Sequence, residues 1–172
     1  PDSDARFSAT WRQYRYRVWN DRAPNPLMAG TVWHVWQPLD RTAMRAAAAA
    51  LVGEHDFASF CRRPDADPPV SLVRILHELD LDDTAAPLLT FTVRGSAFCH
   101  QQVRSMVGTL VDVGIGRLAA DDLPAILDAR DRNRAGQVAP PDGLVLWEVG
   151  YDGVRWDAQE RAGTVGNRAA QP

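Results

Sequence analysis

Residues 11–19, Trp-Arg-Gln-Tyr-Arg-Tyr-Arg-Val-Trp, alternate with a period of two. Tyr14, Tyr16 and Val18 share one face, and Gln13, Arg15, Arg17 and Trp19 share the other, which predicts a strand with an aromatic side and a basic side. Asn20 to Asn25 reads as a loop, with Pro24 and Pro26 stopping regular structure. Gly30 to Gln37 predicts a second strand. Asp40 is placed to cap a helix over about 41–52 that Gly53 ends. Glu54 to Phe60 reads as a short turn or helical piece, with Phe57 and Phe60 as core anchors. Arg62 to Pro69 is the clearest loop.

Two more strands are expected, Val70–Leu81 with Val73, Ile75, Leu79 and Leu81 inward, and Pro87–Val93 with Leu89, Phe91 and Val93 inward. A helix over about 97–113 carries an apolar stripe of Val103, Met106, Val107, Leu110 and Val111. Asp121 or Asp122 opens a shorter helix that runs through about Asp131, and Leu144–Tyr151 reads as the last strand. Strands and helices do not alternate strictly. The expected class is therefore α+β with a mostly antiparallel sheet. Residues 1–152 form one expected domain, and the apolar-poor segment 153–172 is expected to be a disordered tail.

The chain has 172 residues, 45% hydrophobic and 24% charged, enough for one domain with its own core. No run of about 18 uncharged apolar residues could serve as a membrane span. The opening residues, Pro1 to Arg6, lack the pattern of a signal peptide. Cys61 and Cys99 make no disulfide framework and no C-x-x-C pair; each reads as a small core residue. These features together point to a reducing, cytoplasmic setting.

His34, His55, His77 and His100 show no metal-ligand spacing. No G-x-G-x-x-G, P-loop or G-x-S-x-G occurs, so neither a nucleotide cofactor nor a serine nucleophile has support. The net charge is −3, yet residues 6–22 hold Arg6, Arg12, Arg15, Arg17 and Arg22 against Asp21 alone. All the basic residues are arginine, whose planar fork suits phosphate. A local basic segment can meet RNA on an acidic protein, because screening limits distant charges to about 10 Å.

Arg104 lies one position off the apolar stripe of the long helix. Gly108, one turn on, removes bulk from the same face, although a helical glycine costs about 1 kcal/mol against alanine. The pair predicts an arginine reaching a carboxylate or phosphate in a partly buried place.

Four blocks resemble, in order, the TruA family of tRNA pseudouridine synthases. They are Ala5-Arg6-Phe7-Ser8-Ala9-Thr10 with Arg15-Tyr16-Arg17, Leu51 to Phe60, Phe98 to Leu110 with its V-R-x-M-V-G core, and Ala139 to Leu146. The resemblance covers about residues 5–152. It implies the C-terminal half of an enzyme that isomerises uridine to pseudouridine at positions 38–40 of the tRNA anticodon stem-loop, without cofactor or metal, as a homodimer. By the same resemblance Tyr16 packs on the target base, Arg104 pairs with the catalytic aspartate and Leu146 lines the pocket. Tyr14 shares the face of Tyr16 and is the alternative for the stacking role if the register is shifted by one repeat, since periodicity does not separate the two. Tyr14, Arg15, Arg17 and Phe98 complete the expected substrate contacts. A displaced base needs such an aromatic or apolar wall.

The family's aspartate stands in a G-R-T-D-A-G-V-H block upstream of A-R-F-S-A, and no Arg-Thr-Asp triplet occurs in this chain. The expectation is a wall of the active-site cleft that is inactive alone. The alternative is a stand-alone RNA-binding module of the same fold.

Overall fold

In the computed structural model, residues 9–62, 65 and 70–151 are described, so the expected tail at 153–172 lies outside them. Six strands form one sheet: β1 (Ala9–Trp19), β2 (Trp33–His34), β3 (Gly53–Asp56), β4 (Val73–Asp82), β5 (Leu88–Gly95) and β6 (Leu144–Tyr151). The order is β2-β1-β5-β4-β3, and β6 also pairs with β1. Only β1 and β2 run parallel. Three helices join them: α1 (Arg41–Ala49), α2 (Gln102–Gly114) and α3 (Leu123–Ala129). The α+β class with a mostly antiparallel sheet is the one expected from the sequence.

The core lies between one sheet face and the helices. Tyr16 and Val18 of β1 and Leu89, Phe91 and Val93 of β5 meet Met106, Val107 and Leu110 of α2 there, all buried. Every α2 residue is buried except Arg104, which is half-buried. Asp40 caps α1 as expected, accepting from the Ala43 N–H at 2.9 Å.

Several elements differ from the sequence reading, each for a local reason. The strand expected over 30–37 shrinks to Trp33–His34, because the Asn20 side chain donates to the Val35 and Gln37 carbonyls at 2.9 and 2.8 Å. An amide side chain thus takes the place of a neighbouring strand. Residues 53–56 pair with β4 as a strand rather than turning. In β4 the pairing shifts between Leu76 and Glu78. Such a bulge reverses the inward parity, so Leu76, Leu79 and Leu81 are buried while Val73 and Ile75 are exposed. α2 begins at Gln102, with 97–101 as a loop, and a 3-10 turn at Ala120–Asp122 precedes α3. Cys61 and Cys99, read as separate core residues, are paired as a disulfide with Cα atoms 5.7 Å apart. Their segments also meet through the Arg62 N–H, which donates to the His100 carbonyl at 3.0 Å. A pairing across 38 residues has no local signal in the sequence.

Candidate active site

The 96–101 loop and the first turn of α2 frame a cavity of about 370 Å³. Its walls are Tyr14 of β1, Leu144 of β6, Phe98, and the run from Cys99 to Arg104. Tyr14 and Phe98 meet edge to face, with ring centroids 5.2 Å apart. That geometry is a favoured aromatic contact and leaves ring surface to a third partner. At the helix entrance Gln101 adopts a left-handed backbone (φ 67°), uncommon for a residue with a side chain. The buried Gln102 side chain steadies the entrance by accepting from the Cys99 N–H at 3.0 Å.

Arg104 is held from behind. Its Nε donates to the Ala139 carbonyl at 2.7 Å, and the Ala139 N–H donates to the Arg104 carbonyl at 3.1 Å. Gly108 makes this possible, because a Cβ there would collide with the Gln137 carbonyl and lie 2.9 Å from Ala139 N. The bulk that the sequence shows missing beside Arg104 is thus filled by the backbone of residues 136–140, which lies along α2 as a strap. Among the described residues no carboxylate comes within ion-pair distance of Arg104.

Tyr16 does not reach the cavity. It is 0% exposed, and its hydroxyl donates to the Pro140 carbonyl at 2.7 Å. Gly143 lies across its ring, where a Cβ would come within 2.8 Å. Burial pushes the Tyr16 phenol well above its ordinary value; Arg104 lowers it in part and Asp142 raises it further. The group stays a protonated donor that holds the strap, and its ring offers no face to a base. Of the two tyrosines on this side of β1, Tyr14 is the one at the cavity, and Tyr16 lies buried beneath the strap.

Leu146 pairs with Tyr14 across β1 and β6 and stands on the same face, 52% exposed, next to the wall that Leu144 forms. Arg15 and Arg17 are not brought to the cavity. They project from the opposite face of the sheet, in register with Thr92 and Thr90, and the Arg15 guanidinium lies 3.7 Å above the Trp147 ring. The sequence reading missed Leu144, Gln101, Gln102 and the strap. Gly108 and Gly136 were the signal for the strap, since close backbone approach is what a buried glycine permits. Among the described residues no cluster of metal-ligating side chains occurs.

A protein-family model described as tRNA pseudouridine synthase matches residues 47–152. Curated relatives named tRNA pseudouridine synthase A are similar along most of the chain. That of Caulobacter sp. strain K31 is 49% identical over 156 residues, covering 88% of this chain and 60% of the relative. Those of Bordetella petrii and Methylobacterium nodulans are 46% and 48% identical, with 87% and 88% of this chain and 55% and 58% of the relatives covered. The chain therefore spans less than two thirds of the length of these relatives. At this identity over nearly all the described residues, the chain belongs to the tRNA pseudouridine synthase family.

Proposed function

We propose that this chain forms the arginine-bearing wall of a uridine-to-pseudouridine isomerase acting on the anticodon arm of tRNA, at positions 38–40. The observation that supports it most is Arg104. A guanidinium fixed through Nε to a backbone carbonyl and set in a cavity wall is aimed, not merely tethered. The isomerisation needs a carboxylate at the sugar, and a fixed cation keeps such a group ionised and oriented. The family's aspartate belongs to the upstream block that these 172 residues do not contain, so the site is complete only with that block opposite Arg104.

In this reading the target uridine leaves the stack and lies against Tyr14 and Phe98. Such stacking is worth about 1–3 kcal/mol per base and tolerates any base. Selection of the uridine then falls to the rest of the tRNA. Leu144 and Leu146 close the apolar side of the pocket. Tyr16 acts indirectly, by holding Pro140 and with it the strap behind Arg104. No cofactor and no metal take part. The working form is a homodimer in the cytoplasm, and the described residues include no helix long and apolar enough to cross a membrane.

The test joins the uncovered portion of the Caulobacter relative to this chain and assays pseudouridine in an unmodified tRNA transcript. Pseudouridine has the mass of uridine, so a pseudouridine-selective chemical label precedes mass analysis. Product is expected in the anticodon arm from the fusion and none from the 172 residues alone. Arg104→Ala in the fusion is expected to abolish turnover while tRNA binding persists. Product from the 172 residues alone would place the nucleophile within them, and an active Arg104→Ala fusion would remove the role of Arg104. RNA binding by the chain without turnover in any fusion would favour the binding-module alternative.

A further inference from the structure

Asp112 is a buried carboxylate, 6% exposed, on α2 two turns beyond Arg104, a rise of about 12 Å. Burying a carboxylate is costly unless its oxygens are satisfied, and those of Asp112 are. Its Oδ2 accepts from the Gln137 N–H at 2.9 Å. Its Oδ1 accepts from the Gln137 side-chain amide at 2.8 Å and from Arg117 at 3.1 Å. Two of these three donors belong to one residue of the strap. Just before it, the Gly136 N–H donates to Thr109 Oγ1 at 3.0 Å, and that hydroxyl donates to the Ser105 carbonyl at 2.8 Å. Gly136 must be glycine here, because a Cβ would lie 2.5 Å from Asp112 Oδ2 and 2.8 Å from Thr109 Cα.

The strap is thus fastened at two ends. Thr109 and Arg132 hold Gly136 and Asp112 holds Gln137 at one end, and at the other Ala139 is bonded to Arg104 and Pro140 to Tyr16. Between them only the glycine face at 108 separates strap from helix. With Gln137 released, the strap segment between Gly136 and Ala139 could shift over that smooth face, and the Ala139 carbonyl would shift with it. The Arg104 guanidinium is planar, so the direction of its Nε–H fixes the plane of its other nitrogens.

We propose that Asp112 is a positioning residue for Arg104: by pinning Gln137 it sets the place of the Ala139 carbonyl, and so the plane in which the guanidinium faces the cavity. The coupling itself is a property of these residues. Its consequence for turnover rests on the function proposed above.

The direct readout is hydrogen exchange at the Arg104 Nε–H, followed by nitrogen-15 NMR in the 172-residue chain. Asp112→Ala is expected to speed that exchange about tenfold or more relative to the backbone amides of β5, an opening confined to the strap. Asp112→Asn, which keeps an acceptor for the Gln137 N–H, should restore most of the protection. Gln137→Ala removes one bond but leaves the Asp112 carboxylate its bonds from the residue-137 N–H and from Arg117, is the milder variant if Asp112→Ala does not fold, and should give an intermediate increase. Exchange at Arg104 that rises only in step with the β5 amides would overturn the proposal, as would a Gln137→Ala chain with unchanged protection. In the active fusion, Asp112→Ala should lower kcat and leave KM for tRNA within about twofold, since Arg104 faces the reacting carboxylate more than the phosphates, and Asp112→Asn should restore most of kcat. Unchanged kcat beside loosened exchange would show that the plane of Arg104 does not matter to the reaction. An inactive parent fusion, in contrast, would count against the function and leave the exchange result standing.

Discussion

The two faces of one sheet follow different rules. On the helix-covered face Tyr16, Val18, Leu89, Phe91 and Val93 are buried and covered by other elements, Tyr16 by Pro140 and Gly143 and Val93 and Phe91 by α2, while Tyr14 is half-buried at the cavity. On the other face, Arg15, Arg17, Thr90 and Thr92 are half-buried, with Asp80 and Asp82 exposed beside them on β4. That face has one buried polar knot, where Arg94, 2% exposed, donates to Gln13 Oε1 and lies 4.3 Å over the Trp11 ring. The same nine-residue alternation feeds both faces. The cavity beside Arg104 lies on the face that meets α2 and the strap, where an element from elsewhere in the chain brings a polar group to a fixed place.

Neighbouring residues of β5 give the largest contrast. Phe91→Ala should cost about 3–5 kcal/mol, the lost transfer energy plus the cavity left among residues that cannot collapse. Thr92→Ala, one position on and facing the other way, should stay within about 0.5 kcal/mol. Urea unfolding of both variants measures the pair. Similar losses would mean that the open face is covered in solution and that the two faces are not so different.

Gly108→Ala comes next. In an ordinary helix this change gains about 1 kcal/mol. Here the new methyl would strike the Gln137 carbonyl, so a net loss of about 1–3 kcal/mol is expected, as for overpacking elsewhere. A stabilised Gly108→Ala chain would show that the strap does not lie against α2. Its sign is more telling than its size.

How much of this was legible in the sequence depended on which residues set it. β1, β5, β6 and the stripe of α2 follow from periodicity, since each buries one regular face. The parity of β4 did not, because a bulge near His77 reverses it and no residue type announces a bulge there. Periodicity also could not separate Tyr14 from Tyr16. What separates them is Pro140 and Gly143, more than 120 residues away, which cover one ring and leave the other at the cavity. Arg104 was legible because a charge beside an apolar stripe is expensive and Gly108 marked the space it needed. Asp112 and Gln137 were not, since an acid near a helix end ordinarily reads as solvated surface.

Tyr16→Phe probes the covered face more gently. It removes one hydroxyl-to-carbonyl bond and should cost about 1 kcal/mol at neutral pH, leaving Pro140 without its donor. The effect depends on pH, with a definite sign. The folded phenol titrates above the unfolded value of 10.0, so its contribution is complete below that pH and is lost as pH rises beyond it. The parent should therefore lose stability above about pH 10 more steeply than Tyr16→Phe. Thermal unfolding from pH 8 to 11 compares the slopes, and parallel curves would mean that Tyr16 is not buried as a neutral donor.

The smallest effect is expected from the open face. Arg15→Glu and Arg17→Glu break no hydrogen bond or ion pair seen among the described residues; half-buried Arg15 loses its place over Trp147, worth about 0.5–2 kcal/mol. The sequence reading put both arginines among the substrate contacts, and an arginine-rich strand is a reasonable phosphate ladder. The structure turns them away from the cavity and sets Asp80 and Asp82 in register two strands away, which weakens any positive potential there. If RNA is held only from the cavity side, the slope of log affinity against log salt should be unchanged in the double variant of the active fusion. Every phosphate no longer neutralised by an arginine would lower that slope by about one. A drop of about two would show that the RNA wraps around the sheet edge formed by β6 and uses both faces, and the division between a working face and an idle one would then fail at its open side while the cavity stands.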